Sequence, residues 1–168
     1  CYKASGQLDA AVESFEKALA IKPDYTEVNY NLGLTLQELG RLDDAVKSYE
    51  KAIAVQPDYA EAHNNLGVTL KELGQLDAAV KYYEKAIAIQ PDYAEAHNNL
   101  GLTLQKLDQV DAAVESYKKA LAVDPDYAEV NYNLGNALKD LGQLDAAIEY
   151  YKKALTVNPD YAEAHNNL

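Results

Sequence analysis

Residues 57–74 read PDYAEAHNNLGVTLKELG, and residues 91–108 repeat them almost unchanged as PDYAEAHNNLGLTLQKLD. The pattern runs through the whole chain, and its prolines lie 34 residues apart, at Pro23, Pro57, Pro91, Pro125 and Pro159. A fixed period of this size is typical of a solenoid, in which each unit buries its apolar face only against its neighbours. The sequence therefore predicts a stack of similar units and indicates a binding surface rather than an active site.

Two apolar stripes at helical spacing divide the unit of residues 60–93. They consist of Ala62, Leu66, Leu70 and Leu73, followed by Leu76, Ala79, Val80, Tyr83, Ala86 and Ile87. Asp58 and Glu61 form a D-x-x-E pair that predicts the start of the first helix. Gly74 is a typical helix stop, and Pro91 forbids further helix at the end of the unit. Each unit is expected to be a pair of antiparallel helices.

Small residues at fixed positions predict how these helices pack. Gly67 lies inside the first helix, where glycine costs about 1 kcal/mol relative to alanine, so a close approach of a neighbouring helix is expected there. The equivalent glycines are Gly33, Gly101 and Gly135. The aromatic side chains on the second stripe, which are interpreted as packing, are Tyr49, Tyr83, Tyr117 and Tyr151.

A 34-residue helix–turn–helix unit with Leu-Gly, two spaced alanines, an aromatic residue and a final proline resembles the tetratricopeptide repeat. The resemblance implies an all-α fold, a right-handed superhelical solenoid. Its units would be 26–59, 60–93, 94–127 and 128–161, with partial units at 1–25 and 162–168. Two departures stand out. The large aromatic near the start of the first helix is replaced by Asn29, His63, His97 and Asn131, and the turn glycine becomes Asp108, which tolerates the left-handed region at some cost.

The first helix also has a more polar stripe, which lies about a quarter turn from its apolar stripe of Ala62, Leu66, Leu70 and Leu73. In tetratricopeptide arrays the first helices line the concave side, so the resemblance places this stripe in a peptide-binding groove. The candidate groove residues are Glu27, Asn31, Leu34, Glu61, Asn65, Val68, Glu95, Asn99, Leu102, Glu129, Asn133, Asn136 and Asn167. The residues beside the asparagines, Tyr30, Asn64, Asn98 and Tyr132, are a candidate flank.

The asparagine of this stripe is the same in every unit. Neighbouring helices lie about 8–10 Å apart and an extended peptide rises about 3.3 Å per residue, so one amide would meet the peptide backbone at every third residue. This asparagine ladder is similar to that of O-linked N-acetylglucosamine transferases and SPINDLY-type proteins. The likeness leaves a second function open, the targeting region of a larger glycosyltransferase. A structural role, with each asparagine bonded to a neighbouring helix, is the alternative for the residues themselves.

Charge restricts the class of partner. The chain has 27 acidic and 15 basic residues and a net charge of −12, which repels phosphate backbones and anionic membranes. A neutral or basic protein or peptide is therefore expected, with no nucleic acid and no membrane. The family's carboxylate clamp for acidic chaperone tails uses Lys and Arg. The stripe has Glu61, Glu95 and Glu129 instead, which excludes that clamp.

No residue pattern predicts catalysis, a cofactor or a metal ion, so the chain is interpreted as a non-enzyme. His63, His97 and His165 come from different helices without a second ligand at helical spacing, and are interpreted as packed or solvated side chains. The lone Cys1 excludes an internal disulfide and predicts a cytoplasmic location. No polar capping helix covers either end of the array, which predicts head-to-tail self-association.

Overall fold

The computed structural model describes residues 2–168, with side chains from residue 6 onward, and Cys1 lies outside the described residues. The helices are α1 Tyr2–Ile21, α2 Thr26–Glu38, α3 Leu42–Val55, α4 Ala60–Glu72, α5 Leu76–Ile89, α6 Ala94–Lys106, α7 Val110–Val123, α8 Ala128–Asp140, α9 Leu144–Val157 and α10 Ala162–Asn166. The described residues contain no β-strand. The all-α fold class is therefore confirmed.

The helices form two compact units, of which the first ends at Ile89 and the second begins at Gln90. In the first unit α2 pairs with α3 and α4 pairs with α5, while α1 packs on α2 and α3 packs on α4. In the second unit α6 pairs with α7 and α8 pairs with α9, with α7 on α8 and α10 on α9. Each first helix begins at the first residue of its predicted 34-residue unit.

Each helix pair has a glycine on its first helix and a tyrosine on its second helix in close contact. A Cβ atom at Gly33 would lie 2.7 Å from Cε1 of Tyr49, and one at Gly67 would lie 2.7 Å from Cε1 of Tyr83. Both rings are fully buried. The close approach expected from the sequence therefore occurs inside the helix pair, and an added methyl group would displace the ring.

The turn between the two helices needs a left-handed residue. Gly40, Gly74 and Gly142 have φ angles of 73°, 76° and 74°, and Asp108 has φ 60° at the equivalent position. The backbone N–H that follows each residue bonds to a carbonyl of the first helix, as Gln75 N does to Leu70 O at 2.8 Å. These bonds satisfy carbonyls that would otherwise have no partner at the helix end.

The predicted D-x-x-E cap is wrong. Helix α4 begins at Ala60 with Tyr59 at the N-cap, and no side chain makes a capping hydrogen bond there. Asp58 lies one residue too early to reach the first-turn amides. Glu61 is in the first turn, where its charge favours the positive end of the helix dipole.

The structure also differs from the expectation for residues 1–25. The sequence predicts a partial unit there, the end of a first helix followed by a second helix. Instead α1 runs continuously from Tyr2 through Gly6 to Ile21.

Candidate functional site

The predicted groove residues lie on first helices, except Asn167, which directly follows the last residue of α10, and their exposure varies. Among the asparagines, Asn31 is exposed, Asn65 and Asn167 are half-buried, and Asn99 and Asn133 are buried. The first-turn glutamates Glu27, Glu61, Glu95 and Glu129 are exposed. The remaining positions are the exposed Leu34 and the half-buried Val68, Leu102 and Asn136. Where it is exposed, this surface therefore combines carboxylates, amides and small apolar side chains.

Three of the asparagines donate hydrogen bonds sideways to the first helix of the preceding repeat. In the first unit Asn65 Nδ2 donates to Tyr30 Oη at 2.8 Å. In the second unit Asn133 Nδ2 donates to Asn98 Oδ1 at 3.1 Å, and Asn167 Nδ2 donates to Tyr132 Oη at 3.2 Å. Each bond joins residues 35 positions apart, so three of the four residues predicted to lie beside the asparagines, Tyr30, Asn98 and Tyr132, are their partners.

Asn136 also takes part in these contacts. Its Oδ1 accepts hydrogen bonds from Asn167 Nδ2 at 3.2 Å and from Tyr151 Oη at 2.9 Å. The half-buried amide therefore connects the buried tyrosine of one helix pair to the next first helix.

A glutamine bridge, which the sequence analysis missed, joins neighbouring first helices about two turns further along. Gln37 Oε1 accepts from Tyr49 Oη at 3.0 Å, and Gln37 Nε2 donates to Glu72 Oε1 at 3.2 Å. In the second unit Gln105 accepts from Tyr117 at 3.1 Å and donates to Asp140 at 2.8 Å. The glutamine thus satisfies a buried phenol and holds a carboxylate of the next repeat. Its recurrence after 68 residues was the available signal.

Two tyrosines of the Pro-Asp-Tyr segments, Tyr59 and Tyr161, lie near glutamates of two successive first helices. Burial raises the pKa of Tyr59, and the nearby charges of Tyr30, Glu61 and Glu27 raise it further. Burial likewise raises the pKa of Tyr161, with added effects of Glu129, Glu163 and Tyr132. The sequence analysis did not identify these tyrosines as site residues, although the regular Tyr-x-Glu spacing was visible.

The residues that replace the family's first-helix aromatic anchor the loop before the helix. His63 Nε2 lies 2.9 Å from the carbonyl oxygen of Pro57, and Asn29 Nδ2 donates to Pro23 O at 3.0 Å. Because a carbonyl only accepts, Nε2 of His63 must carry the proton. The other anchor residues, defined by the same bond to the proline carbonyl six residues earlier, are His97, Asn131 and His165.

Burial lowers the pKa of His63 below its ordinary value. The bond to the Pro57 carbonyl opposes this effect, whereas the charge of Lys85 adds to it. The ring stacks on Tyr82 with centroids 5.9 Å apart, and Nδ1 is buried without a hydrogen-bond partner. A neutral imidazole therefore fits this position, and the histidine has a structural role in the loop.

Two absences can be stated for the described part of the chain. It has no group of three or more His, Cys, Asp or Glu side chains placed to hold a metal ion. None of its helices combines the length and the apolar character needed to cross a bilayer.

Models of the tetratricopeptide repeat match the sequence at residues 24–92, 58–126 and 128–161, and a TPR repeat model matches residues 2–40. No curated protein sequence matches the chain. Among solved structures, MamA is 30% identical with a TM-score of 0.88, and the match covers 96% of this chain and 94% of MamA. TTC0263, a thermophilic TPR protein of Thermus thermophilus, is 30% identical with a TM-score of 0.73, covering 98% and 90%.

A further solved structure shows a similar fold at lower identity. YrrB, described as a TPR protein with an unusual peptide-binding site, is 23% identical with a TM-score of 0.81, covering 98% of this chain and 84% of YrrB. The family models cover most of the chain, and the helix pairs repeat at the positions they mark. The chain belongs to the tetratricopeptide repeat family.

Proposed function

We propose that this chain is a non-catalytic scaffold that binds an extended segment of another protein along its first helices. The asparagines that would contact the backbone of the bound segment are Asn31, Asn65, Asn99, Asn133 and Asn167. The exposed glutamates beside them favour a neutral or basic segment, because an acidic one would be repelled.

The observation that carries this proposal is the sideways hydrogen bonding of the asparagines. The bond from Asn65 to Tyr30 and the bond from Asn133 to Asn98 each use one amide N–H. A carboxamide has two N–H donors and an acceptor oxygen, so Asn65 and Asn133 keep capacity for a peptide group, whereas Asn167 already donates both N–H groups to Tyr132 and Asn136. An amide already fixed in orientation loses less entropy on binding, which favours affinity. The YrrB structure offers support by analogy, since it is described as having a peptide-binding site.

The proposal can be tested with an array of synthetic 12-residue peptides and the double variant Asn65→Ala with Asn99→Ala. We expect the variant to bind the best peptide of the array more weakly while its helical circular dichroism is unchanged. The matched control is Gln56→Ala with Gln90→Ala, which removes two carboxamides from the loops after the second helices. Equal affinity of the asparagine variant and the control would remove the asparagines from the mechanism, and loss of helix would assign them a structural role.

Two other functions remain predictions. A role as the targeting region of a glycosyltransferase requires a catalytic domain in the parent protein, which its full coding sequence would reveal. Self-association is favoured by exposed apolar side chains such as Leu144 on α9, which is 58% exposed. Sedimentation at millimolar concentration would test it, and strictly monomeric behaviour would contradict it. The cytoplasmic location also remains a prediction.

A further inference from the structure

Two tyrosine pairs with the same geometry lie on the first-helix surface, one in each unit. The ring centroids of Tyr30 and Tyr59 are 4.9 Å apart with an interplanar angle of 38°. Those of Tyr132 and Tyr161 are 5.0 Å apart with an angle of 41°. In both pairs an asparagine of the next repeat holds the hydroxyl of the first tyrosine. The arrangement is therefore a fixed feature of these repeats rather than one chance contact.

Glutamates flank each pair. Glu27 and Glu61 both lie close enough to Tyr59 to raise its pKa, and Glu129 and Glu163 act in the same way on Tyr161. All four carboxylates are exposed, and none belongs to an ion pair recorded among the described residues. The helix dipole accounts for a glutamate in each first turn, but it does not account for a pair of tilted aromatic rings beside two of them.

The chain itself shows what such a tyrosine can bind. Tyr25 is the equivalent tyrosine of the preceding loop, and the Lys22 ammonium lies 4.7 Å from its ring centroid. The positions equivalent to Lys22 before Tyr59 and Tyr161 are Gln56 and Asn158. The chain therefore supplies no cation of its own at those positions. A cation over the face of a tyrosine is attracted by the ring quadrupole.

The distribution of charge agrees with a cationic ligand. The five segments 23–28, 57–62, 91–96, 125–130 and 159–164 each contain one Asp and one Glu and no basic residue. They hold ten of the 27 acidic residues, and the rest of the chain has 17 acidic against 15 basic residues. Most of the net charge of −12 is therefore concentrated in the segments that carry the loop tyrosines.

We propose that the cluster of Glu27, Tyr30, Tyr59 and Glu61, and its counterpart of Glu129, Tyr132, Tyr161 and Glu163, each bind an arginine side chain of the extended partner. This inference rests on the proposed function and specifies the chemistry of the partner. A guanidinium group stacks on an aromatic ring and also presents a planar set of donors to carboxylates, which an ammonium group does less well. Under this proposal Asn65 and Asn167 are positioning residues for the tyrosine hydroxyls.

The test uses the whole chain and three 12-residue peptides of Gly, Ser and Asn that differ only in one central residue, arginine, lysine or citrulline. Citrulline has nearly the shape of arginine without its charge. We expect the arginine peptide to bind about tenfold more tightly than the citrulline peptide and the lysine peptide to lie between them. Chemical-shift changes of the Tyr59 and Tyr161 rings by NMR would report the site.

Matched charge variants test whether the four glutamates of these clusters bind the arginine side chain. A variant with Glu27, Glu61, Glu129 and Glu163 all changed to Gln should bind the arginine peptide about as weakly as the citrulline peptide. The control variant changes four other glutamates to Gln and should keep the preference for arginine. These glutamates are exposed on the second helices and are Glu50, Glu84, Glu115 and Glu149. Both variants alter the net charge equally, so a general electrostatic effect would appear in both and overturn the proposal.

The remaining outcomes separate this inference from the proposed function. Equal binding of the arginine and citrulline peptides, lost in Asn65→Ala with Asn99→Ala, would support the peptide-binding function and overturn the arginine site. Absence of binding by the arginine peptide would also overturn the site, while other peptides of the array would still decide the function.

Discussion

The Tyr83 ring occupies the space that a side chain at Gly67 would need, since a Cβ atom there would lie 2.7 Å from Cε1. The ring is fully buried and cannot move away without disturbing its helix pair. The glycine is therefore required by packing, even though it weakens the helix that contains it.

Gly67→Ala should lower the free energy of unfolding by about 1–3 kcal/mol because it overpacks the core. Gly6→Ala is the matched control, since that glycine is also helical and has nothing within 4 Å of its Cβ position. The control should be neutral or stabilise by up to about 1 kcal/mol. Urea denaturation followed by circular dichroism measures both, and equal effects would contradict this account.

Asp108→Gly should raise stability by up to about 1 kcal/mol, because Asp108 has φ 60° and only glycine adopts this region without strain. Asp108→Ala should lower stability by a similar amount, since alanine lacks the short polar side chain that helps Asp in this region. Thermal unfolding of the two variants and the parent chain provides the comparison. A more stable alanine variant would show that the turn is not strained.

His63→Asn should make stability less dependent on pH. The pKa of folded His63 is lowered by burial, so the unfolded chain binds the proton first. The contribution of His63 to the free energy of unfolding is therefore complete above its unfolded pKa of about 6.5. This contribution decreases as the pH falls from there through the lowered folded pKa.

Asparagine is a suitable replacement because Asn29 and Asn131 make the same bond to a proline carbonyl. Urea midpoints at pH 7.5 and pH 5 should differ less in His63→Asn than in the parent chain. The same difference in both would mean that His63 does not contribute to the acid response.

The bond between Asn65 and Tyr30 should appear as an energetic coupling. A double-mutant cycle with Asn65→Ala and Tyr30→Phe is expected to give a coupling of about 0.5–1.5 kcal/mol. Asn31→Ala serves as the comparison, because Asn31 is exposed and its replacement should change stability by less than about 0.5 kcal/mol. A coupling near zero would indicate that the Asn65–Tyr30 bond contributes nothing to the packing of these repeats.

The sequence predicted the family and the all-α fold because helix, turn and packing signals recur in one register, as at Leu66, Gly67 and Gly74. It also indicated the left-handed turn residue at Asp108. It did not predict the anchor residues, because the bond from His63 to Pro57 depends on how the loop folds back over the helix start. The prediction of a cap at Asp58 was wrong for the same reason, because capping also depends on the path of this loop.

The sequence did not predict the hydrogen bonds between repeats, for a different reason. Tyr30 and Asn65 are 35 residues apart, one more than the repeat length. The two residues therefore occupy different positions of the repeat, and an alignment of one repeat with the next does not pair them. Their contact depends on the offset between neighbouring first helices, which is set by packing rather than by local sequence.

The glycine and its tyrosine belong to the same helix pair, sixteen positions apart in each repeat, as Gly33 and Tyr49 are. Copying or deleting one 34-residue block carries both partners together, and no neighbouring block must adapt its own steric fit. Arrays of this kind can therefore change length during evolution without passing through a form in which a tyrosine faces a residue larger than glycine.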